Sequence, residues 1–278
     1  MDDYLSSSFD WNNPDLVSAY DEVSQWSALF GELLLKHLPM RAGLTVLDLG
    51  YGTGYPLLEL AERLGASCKV VGIDPWDAAR ARALVKTRLW GVTNAEPLQG
   101  DAASLPFSEA AFDLIVSNLG LNNFADPAAA MRECFRVARP GARLALTTNL
   151  RGHMAEFYEV YEATLRELGL EPLVPALRRH IDHRASLESV TALLEGAGFR
   201  CAVLHQETAT LRYLNGSALL RHHFIRQGFL DGWKEVLPPE QLRAVFARLE
   251  ANLNRRAEEQ GELALTIPMA YLEGEKAR

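Results

Sequence analysis

Cysteine is scarce and scattered in this chain. The three present, Cys68, Cys134 and Cys201, share no metal-ligand spacing, and their odd number suits a reducing compartment better than a disulfide framework. No apolar run is long enough to span a bilayer. Positive charge is also short. The formal net charge of −8 argues against a dedicated nucleic-acid binder, whose affinity rests on neutralising phosphates. The opening Met1-Asp2-Asp3-Tyr4 is acidic, unlike the basic-then-apolar start of an export leader. Internal repeats and low-complexity tracts are missing too. The expectation is a soluble cytoplasmic protein with neither a membrane nor a nucleic-acid partner. At 278 residues, 48% of them hydrophobic, the chain can bury an ample core as one large domain or as a domain with a lid.

What is present centres on Val46-Leu47-Asp48-Leu49-Gly50-Tyr51-Gly52-Thr53-Gly54-Tyr55-Pro56. Leu44 to Leu49 is short, apolar and rich in strand formers, as expected of a strand buried on both faces. Three glycines at alternate positions follow, supplying positive φ and room for close backbone approach. Pro56 to Gly65 reads as a helix, with Pro in its first turn and Leu57, Leu58, Ala61 and Leu64 on one face. Strand, glycine loop and helix together make a ligand site outside the carboxyl end of a strand in an open α/β sheet. A dinucleotide is disfavoured. Its G-x-G-x-x-G pattern would need the third glycine where Tyr55 stands, and Pro56 removes an amide a phosphate would use. Asp74 ends the next apolar run, where an acid can accept both hydroxyls of a ribose, and Asp101 follows the third run.

In order, D-L-G-x-G-T-G, G-I-D, G-D-A-x-x-L-P-F and F-D-L-I-V-S-N resemble the class I S-adenosylmethionine-dependent methyltransferases, above all the small-molecule branch of ubiquinone, menaquinone and biotin-pathway enzymes. The resemblance runs from about Tyr20 to Gly198. It implies a Rossmann-like, doubly wound α/β fold: a seven-stranded, mostly parallel sheet with an antiparallel last strand, plus helical lid elements. It also implies S-adenosylmethionine as cofactor, held by Asp48, Gly50, Gly52, Gly54, Asp74, Asp101, Ala102 and Asn118. Asp101 would accept from the adenine amino group while the Ala102 amide meets a ring nitrogen. A tyrosine on the helix before the sheet reaches the methionine carboxylate in that family, and Tyr20 sits where it would. Tyr20 is otherwise one of several core aromatics at helical spacing. Trp76 either packs on the adenine or is structural. One residue departs from the family: Tyr51 replaces a small residue, altering the pocket if its side chain faces the cofactor and changing nothing if it faces away.

Three domains are expected: an N-terminal helical cover over 1–40, a core over 41–215 and 262–278, and a helical lid over 216–261, read as two helices split by Pro238-Pro239. At the fourth strand end, Asn118, Asn122 and Asn123 reflect either turn chemistry or function, with Asn118 near the methionine moiety and Asn122 or Asn123 facing the acceptor. Asn149 and His222 are further acceptor-side candidates. His153, after the fifth strand, is the candidate general base, ahead of His222 and His180; a lone histidine is more often structural. Leu177 to Arg184 reads as a basic loop, solvated or anion-binding, and not a metal site. The expected reaction is direct in-line methyl transfer to a small-molecule acceptor, with the basic residues hinting at an anionic one. The alternative is a non-catalytic or non-methyl-transferring S-adenosylmethionine-binding protein on the same fold. An aminopropyl transferase would want acids where the asparagines stand.

Overall fold

Apolar runs and glycine breaks recur along the chain, and they fold into alternating strands and helices. A computed structural model describes residues 4–22 and 25–278. Met1–Asp3 and Val23-Ser24, parts of the expected N-terminal cover, lie outside the described residues. Helices α1 (Pro14–Glu22) and α2 (Gln25–His37) precede β1 (Thr45–Leu49), α3 (Leu57–Leu64), β2 (Lys69–Asp74), α4 (Asp77–Trp90), β3 (Ala95–Gln99) and β4 (Phe112–Asn118). Next come α5 (Pro127–Val137), β5 (Ala138–Asn149), α6 (Ala155–Glu167), α7 (Val174–Asp182), α8 (Leu187–Gly196) and β6 (Arg200–Tyr213). The chain closes with α9 (Gly216–Arg221), α10 (His223–Gly228), α11 (Leu230–Lys234), α12 (Leu242–Gln260) and β7 (Leu263–Glu275).

The seven strands form one sheet in the order β3-β2-β1-β4-β5-β7-β6. β1 pairs in parallel with β2 and β4, and β7 runs antiparallel to β5. This is the expected doubly wound α/β architecture. The strand order reverses between β1 and β4, and there the carboxyl ends of neighbouring strands leave a crevice. The central strands are buried on both faces: Val46, Leu47, Leu49, Ile115 and Val116 are fully enclosed, which explains why they read as unbroken apolar runs.

Two compact units emerge. One comprises Asp10–Asn149, Ser186–Glu207 and Met269–Arg278; the other comprises Met1–Phe9, Leu150–Ala185 and Thr208–Pro268. The second unit is therefore larger than the expected 216–261 lid, since it claims Leu150–Ala185 as well. Its core is aromatic. Phe157 stacks on Trp233 at 3.9 Å between ring centroids, and the Tyr161 hydroxyl donates to the Trp233 carbonyl at 2.9 Å. Two local readings change. The basic stretch expected as a loop is helix α7, because Val174 and Leu177 recur one turn apart and bury themselves. The two expected helices of 216–261 are four: extended backbone at His222 separates α9 from α10, and Phe229 separates α10 from α11. The break at Pro238-Pro239 before α12 stands.

Candidate active site

Gly50, Gly52 and Gly54 all have positive φ, at 80°, 52° and 113°. The Gly50 amide donates to the Ile73 carbonyl at 2.8 Å, tying the loop to β2, and a Cβ on Gly50 would press on Gly120 at 3.3 Å. Asp74 closes the loop from the other side. Its carboxylate accepts from the Gly52 amide and from the Trp76 amide, each at 2.8 Å. Each oxygen keeps a second lone pair for a ligand hydroxyl. Asp74 therefore shapes the loop as well as standing where a ribose acceptor belongs. Burial raises its carboxyl above the ordinary range against the pull of those two amides.

Asp48 is unlike it. Its side chain is wholly enclosed and neither carboxylate oxygen has a hydrogen-bond partner. Burial, then the neighbouring charge of Asp74, pushes its carboxyl well above the usual range, with the Leu57 amide acting the other way. A buried, unpaired acid is costly to ionise unless a cation meets it. The start of α3 beside it has Pro56, without an amide hydrogen, as its N-cap. The tip of β1 thus presents a buried acid, and α3 lacks an amide donor at its N-cap, where a pyrophosphate site would offer donors.

Tyr51 faces away from the loop mouth. Its ring is buried over Gly72, where a Cβ would come within 2.5 Å of it, and its hydroxyl donates to the Leu98 carbonyl at 3.1 Å. The family departure at this position is absorbed in the core.

Tyr20 and Trp76 come together, and sequence reading missed their third member, Trp11. The rings form a triangle, with centroids 5.6 Å apart for Trp11–Tyr20, 5.7 Å for Tyr20–Trp76 and 5.5 Å for Trp11–Trp76. The Trp76 indole N–H donates to the Trp11 carbonyl at 2.8 Å. Burial and then Asp74 raise the Tyr20 phenol, so this tyrosine lies in the field of the Asp74 carboxyl. Asp21 pins α1 to α4 through Arg82 at 2.7 Å and Lys86 at 2.6 Å. Burial alone would raise its carboxyl, yet hydrogen bonds from Lys86, Thr53 and Arg82 bring it below the usual range.

Gly31 was also missed. A Cβ there would sit 2.1 Å from the Tyr55 hydroxyl, so this mid-helix glycine is a notch for the loop's tyrosine. The signal was available, since glycine inside a helix costs about 0.5–1 kcal/mol relative to alanine.

Asp101 is exposed and accepts from the Ala103 amide at 2.9 Å, while Ala102 is buried. Asn118 has structural work: it donates to the Ser27 carbonyl at 2.9 Å and accepts from the Thr147 hydroxyl at 2.7 Å. It braces α2 against the strand tips. Asn122 donates to the Asn149 side chain at 2.7 Å and accepts from the Thr148 hydroxyl at 2.5 Å, so these two acceptor-side candidates meet.

In the helical unit, His153 is 2% exposed with its ring 5.3 Å from that of Phe229. Burial, then Arg184 and His180, pushes its imidazole down to about 3. A group held neutral in this way takes up a proton less readily near neutrality than an ordinary histidine. His180, at about 4 for the same leading reason, lies 3.2 Å from the Tyr158 hydroxyl. His222 belongs to another ring cluster, with Tyr213 and His223. No group of three or more His, Cys, Asp or Glu among the described residues is placed to hold a metal ion.

Comparison with known proteins accords with this geometry. The methyltransferase-domain family model matches residues 47–146. A demethylmenaquinone methyltransferase of Lactococcus lactis is 33% identical over 141 residues, 51% of this chain and 54% of the relative, so the match spans about half of that relative's length. A ubiquinone/menaquinone biosynthesis C-methyltransferase, UbiE, of Salmonella arizonae is 30% identical over 184 residues, 61% of this chain and 72% of the relative. Among solved structures, a SAM-dependent methyltransferase from Aquifex aeolicus superposes with a TM-score of 0.54 at 25% identity, covering 71% of this chain and 92% of that one. The chain belongs to the class I S-adenosylmethionine-dependent methyltransferases, on their quinone-pathway-like side. Its cofactor is S-adenosylmethionine, and the buried unpaired Asp48 fits a ligand that brings positive charge to the tip of β1.

Proposed function

We propose that this protein methylates a small aromatic acceptor of the quinol type by direct in-line displacement. The observation that carries the reading is the enclosed, unpartnered carboxylate of Asp48 beside a positive-φ glycine loop. That combination lacks the donors a pyrophosphate needs, and its acid can ionise where a cation meets it. The acceptor class is supported by the quinone-pathway names of the relatives.

When bound, S-adenosylmethionine supplies an electrophilic methyl group on a sulfonium centre. Asp48 would face its positive charge, Asp74 would accept the ribose hydroxyls, and Asp101 with the Ala102 amide would read the adenine edge. Trp11, Tyr20 and Trp76 would keep water from the adenosine side. The chain's contribution to rate is alignment and desolvation, worth up to about 7–11 kcal/mol in good cases. The low basicity of His153 fits an acceptor that arrives ionised and needs no proton removed.

The test is incubation with methyl-labelled S-adenosylmethionine and reduced demethylmenaquinone, read by mass spectrometry, with a cell-extract arm beside it. Label in the quinol, or in another small aromatic of the extract, is the expected result. Label confined to protein or nucleic acid, or no transfer despite cofactor binding, contradicts the reading.

A further inference from the structure

Near the end of α1, Val17, Tyr20 and Asp21 fall at i, i+3 and i+4, so they share one face. Val17 is 1% exposed, and the Asp21 side chain only 8%. Tyr20 meets the Trp11 and Trp76 rings. The Asp21 carboxylate faces α4, where Arg82 Nε donates to one oxygen at 2.7 Å and Lys86 Nζ to the other at 2.6 Å. Lys86 is unusual for its place. It continues the stripe of Ala79 and Ala83, both fully buried, and is itself enclosed. A lysine at a core position is tolerated when an anion meets it. The same stripe touches the glycine loop: a Cβ on Gly54 would stand 3.3 Å from that of Ala83. Between Gly52 and Gly54, the buried Thr53 completes the cluster, its hydroxyl donating to Asp21.

Three glycines leave the loop a wide choice of backbone conformations, so its shape needs holding from outside. Asp74 does this at the backbone, through the Gly52 amide at 2.8 Å. Asp21 does it one residue on, at the Thr53 side chain. Stability alone gives little reason for an enclosed carboxylate between two cations, since apolar side chains of similar size commonly serve as well or better. What the cluster supplies is direction. A carboxylate that accepts from three donors at once fixes α1, α4 and the loop against one another, because moving any of them breaks a charged hydrogen bond.

We propose that Asp21 is a positioning residue for cofactor binding, locking the glycine loop at Thr53 to the helix that carries Tyr20. Asp21 touches no ligand itself, and its role rests on the reading of the loop as an S-adenosylmethionine site. Loop and α1 act as one piece. A loop shaped for the ligand holds α1 in place, and loss of the clasp frees the loop and lets Tyr20 leave the two tryptophans.

The test sets three forms of the full-length protein against wild type: Thr53→Val, Asp21→Asn, and the paired change Asp21→Leu with Lys86→Met. Each is melted without ligand and titrated with S-adenosylmethionine by calorimetry. Thr53→Val keeps the ion pairs and should weaken binding about tenfold, the loss of one hydrogen bond to a charged group. Asp21→Asn should weaken it at least as much, and the two together no more than Asp21→Asn alone, because they remove the same contact. The paired change leaves no enclosed lysine without its anion. It should melt near wild type yet bind as weakly as Asp21→Asn. A second readout needs no ligand: hydrogen exchange at the Gly52 amide should quicken at least tenfold in Thr53→Val and in the paired variant, while Leu47 in β1 keeps its wild-type rate. Wild-type affinity in a folded Thr53→Val, losses that multiply when Thr53→Val and Asp21→Asn are combined, or affinity restored in the paired variant along with its melting temperature would each overturn the proposal. If wild type binds no S-adenosylmethionine, the cofactor reading falls, and Gly52 exchange still decides whether Asp21 holds the loop.

Discussion

Asp48 is fully enclosed while Arg184 is half-buried with only its Nε enclosed, and the two units make these settings in different ways. Asp48 lies on a central strand, one residue before the strand's end, with the glycine loop directly after it. Its isolation is a local consequence of strand burial and of Pro56 at the helix start. Arg184 lies just past a short helix, and its place beside Phe229, Tyr158 and His180 depends on the packing of several short helices. A site built from one strand–loop–helix run is written in consecutive residues. A site built by packing several short helices is not.

Predictions follow that contrast in falling order of effect. Asp74→Ala removes the acceptor for two loop amides as well as for the ribose. Hydrogen bonds to a charged group are each worth about 1.5–3 kcal/mol, so S-adenosylmethionine affinity should drop ten- to a hundredfold by calorimetry, with a lower melting temperature. Unchanged affinity would remove Asp74 from the site and break the local-coding half of the comparison. Gly31→Ala drives a methyl group into the Tyr55 ring and should cost about 1–3 kcal/mol by denaturant titration. Adding Tyr55→Ala should recover part of that loss, since the two residues share one space.

Acid should expose the helical unit. His153 and His180 are held at about 3 and about 4, below an unfolded value of about 6.5. As pH falls below the unfolded value, the unfolded chain takes up protons first. The stability contributed by the neutral rings is therefore full above about 6.5 and lost as pH falls towards the folded values. Thermal melts between pH 7 and pH 4 should show the decline, and His153→Gln should flatten it. A slope untouched by that substitution would place the titrating group elsewhere. The smallest effect belongs to Tyr51→Phe, which loses one hydrogen bond to the Leu98 carbonyl. About 1 kcal/mol of stability should go, with cofactor affinity unaltered because the ring points into the core.

Legibility in the sequence tracks the same divide. The strand runs and the glycine loop were readable because periodicity and glycine placement are local, and the sheet's form followed from the resemblance. Tyr20 was flagged by the family resemblance and Trp76 by its place beside Asp74, while Trp11 lay in an opening stretch with no pattern to mark it. Asn118 was expected near the methionine moiety; its bonds to Ser27 and Thr147, partners far away in sequence, are what spacing could not show. Asn122 and Asn149 were named separately, and only the fold shows that they bond to each other. The α7 stretch looked like a loop because its charges outweigh a short apolar spacing. The burial of His153 beside Arg184 and His180 is a tertiary fact that its sequence neighbours do not show.

The central claim is that Asp48 is kept unpaired for a cationic ligand, and one substitution tests it most directly. Asp48→Asn should be followed at pH 7 by thermal melting without ligand and by calorimetric titration of S-adenosylmethionine. A raised folded pKa means the ionised group opposes folding once pH exceeds its unfolded value, so the neutral amide should stabilise the free protein. The same change should weaken S-adenosylmethionine binding tenfold or more. Opposite signs in the two readouts are the predicted result. A free protein no more stable than wild type, or unaltered cofactor affinity, would contradict the account.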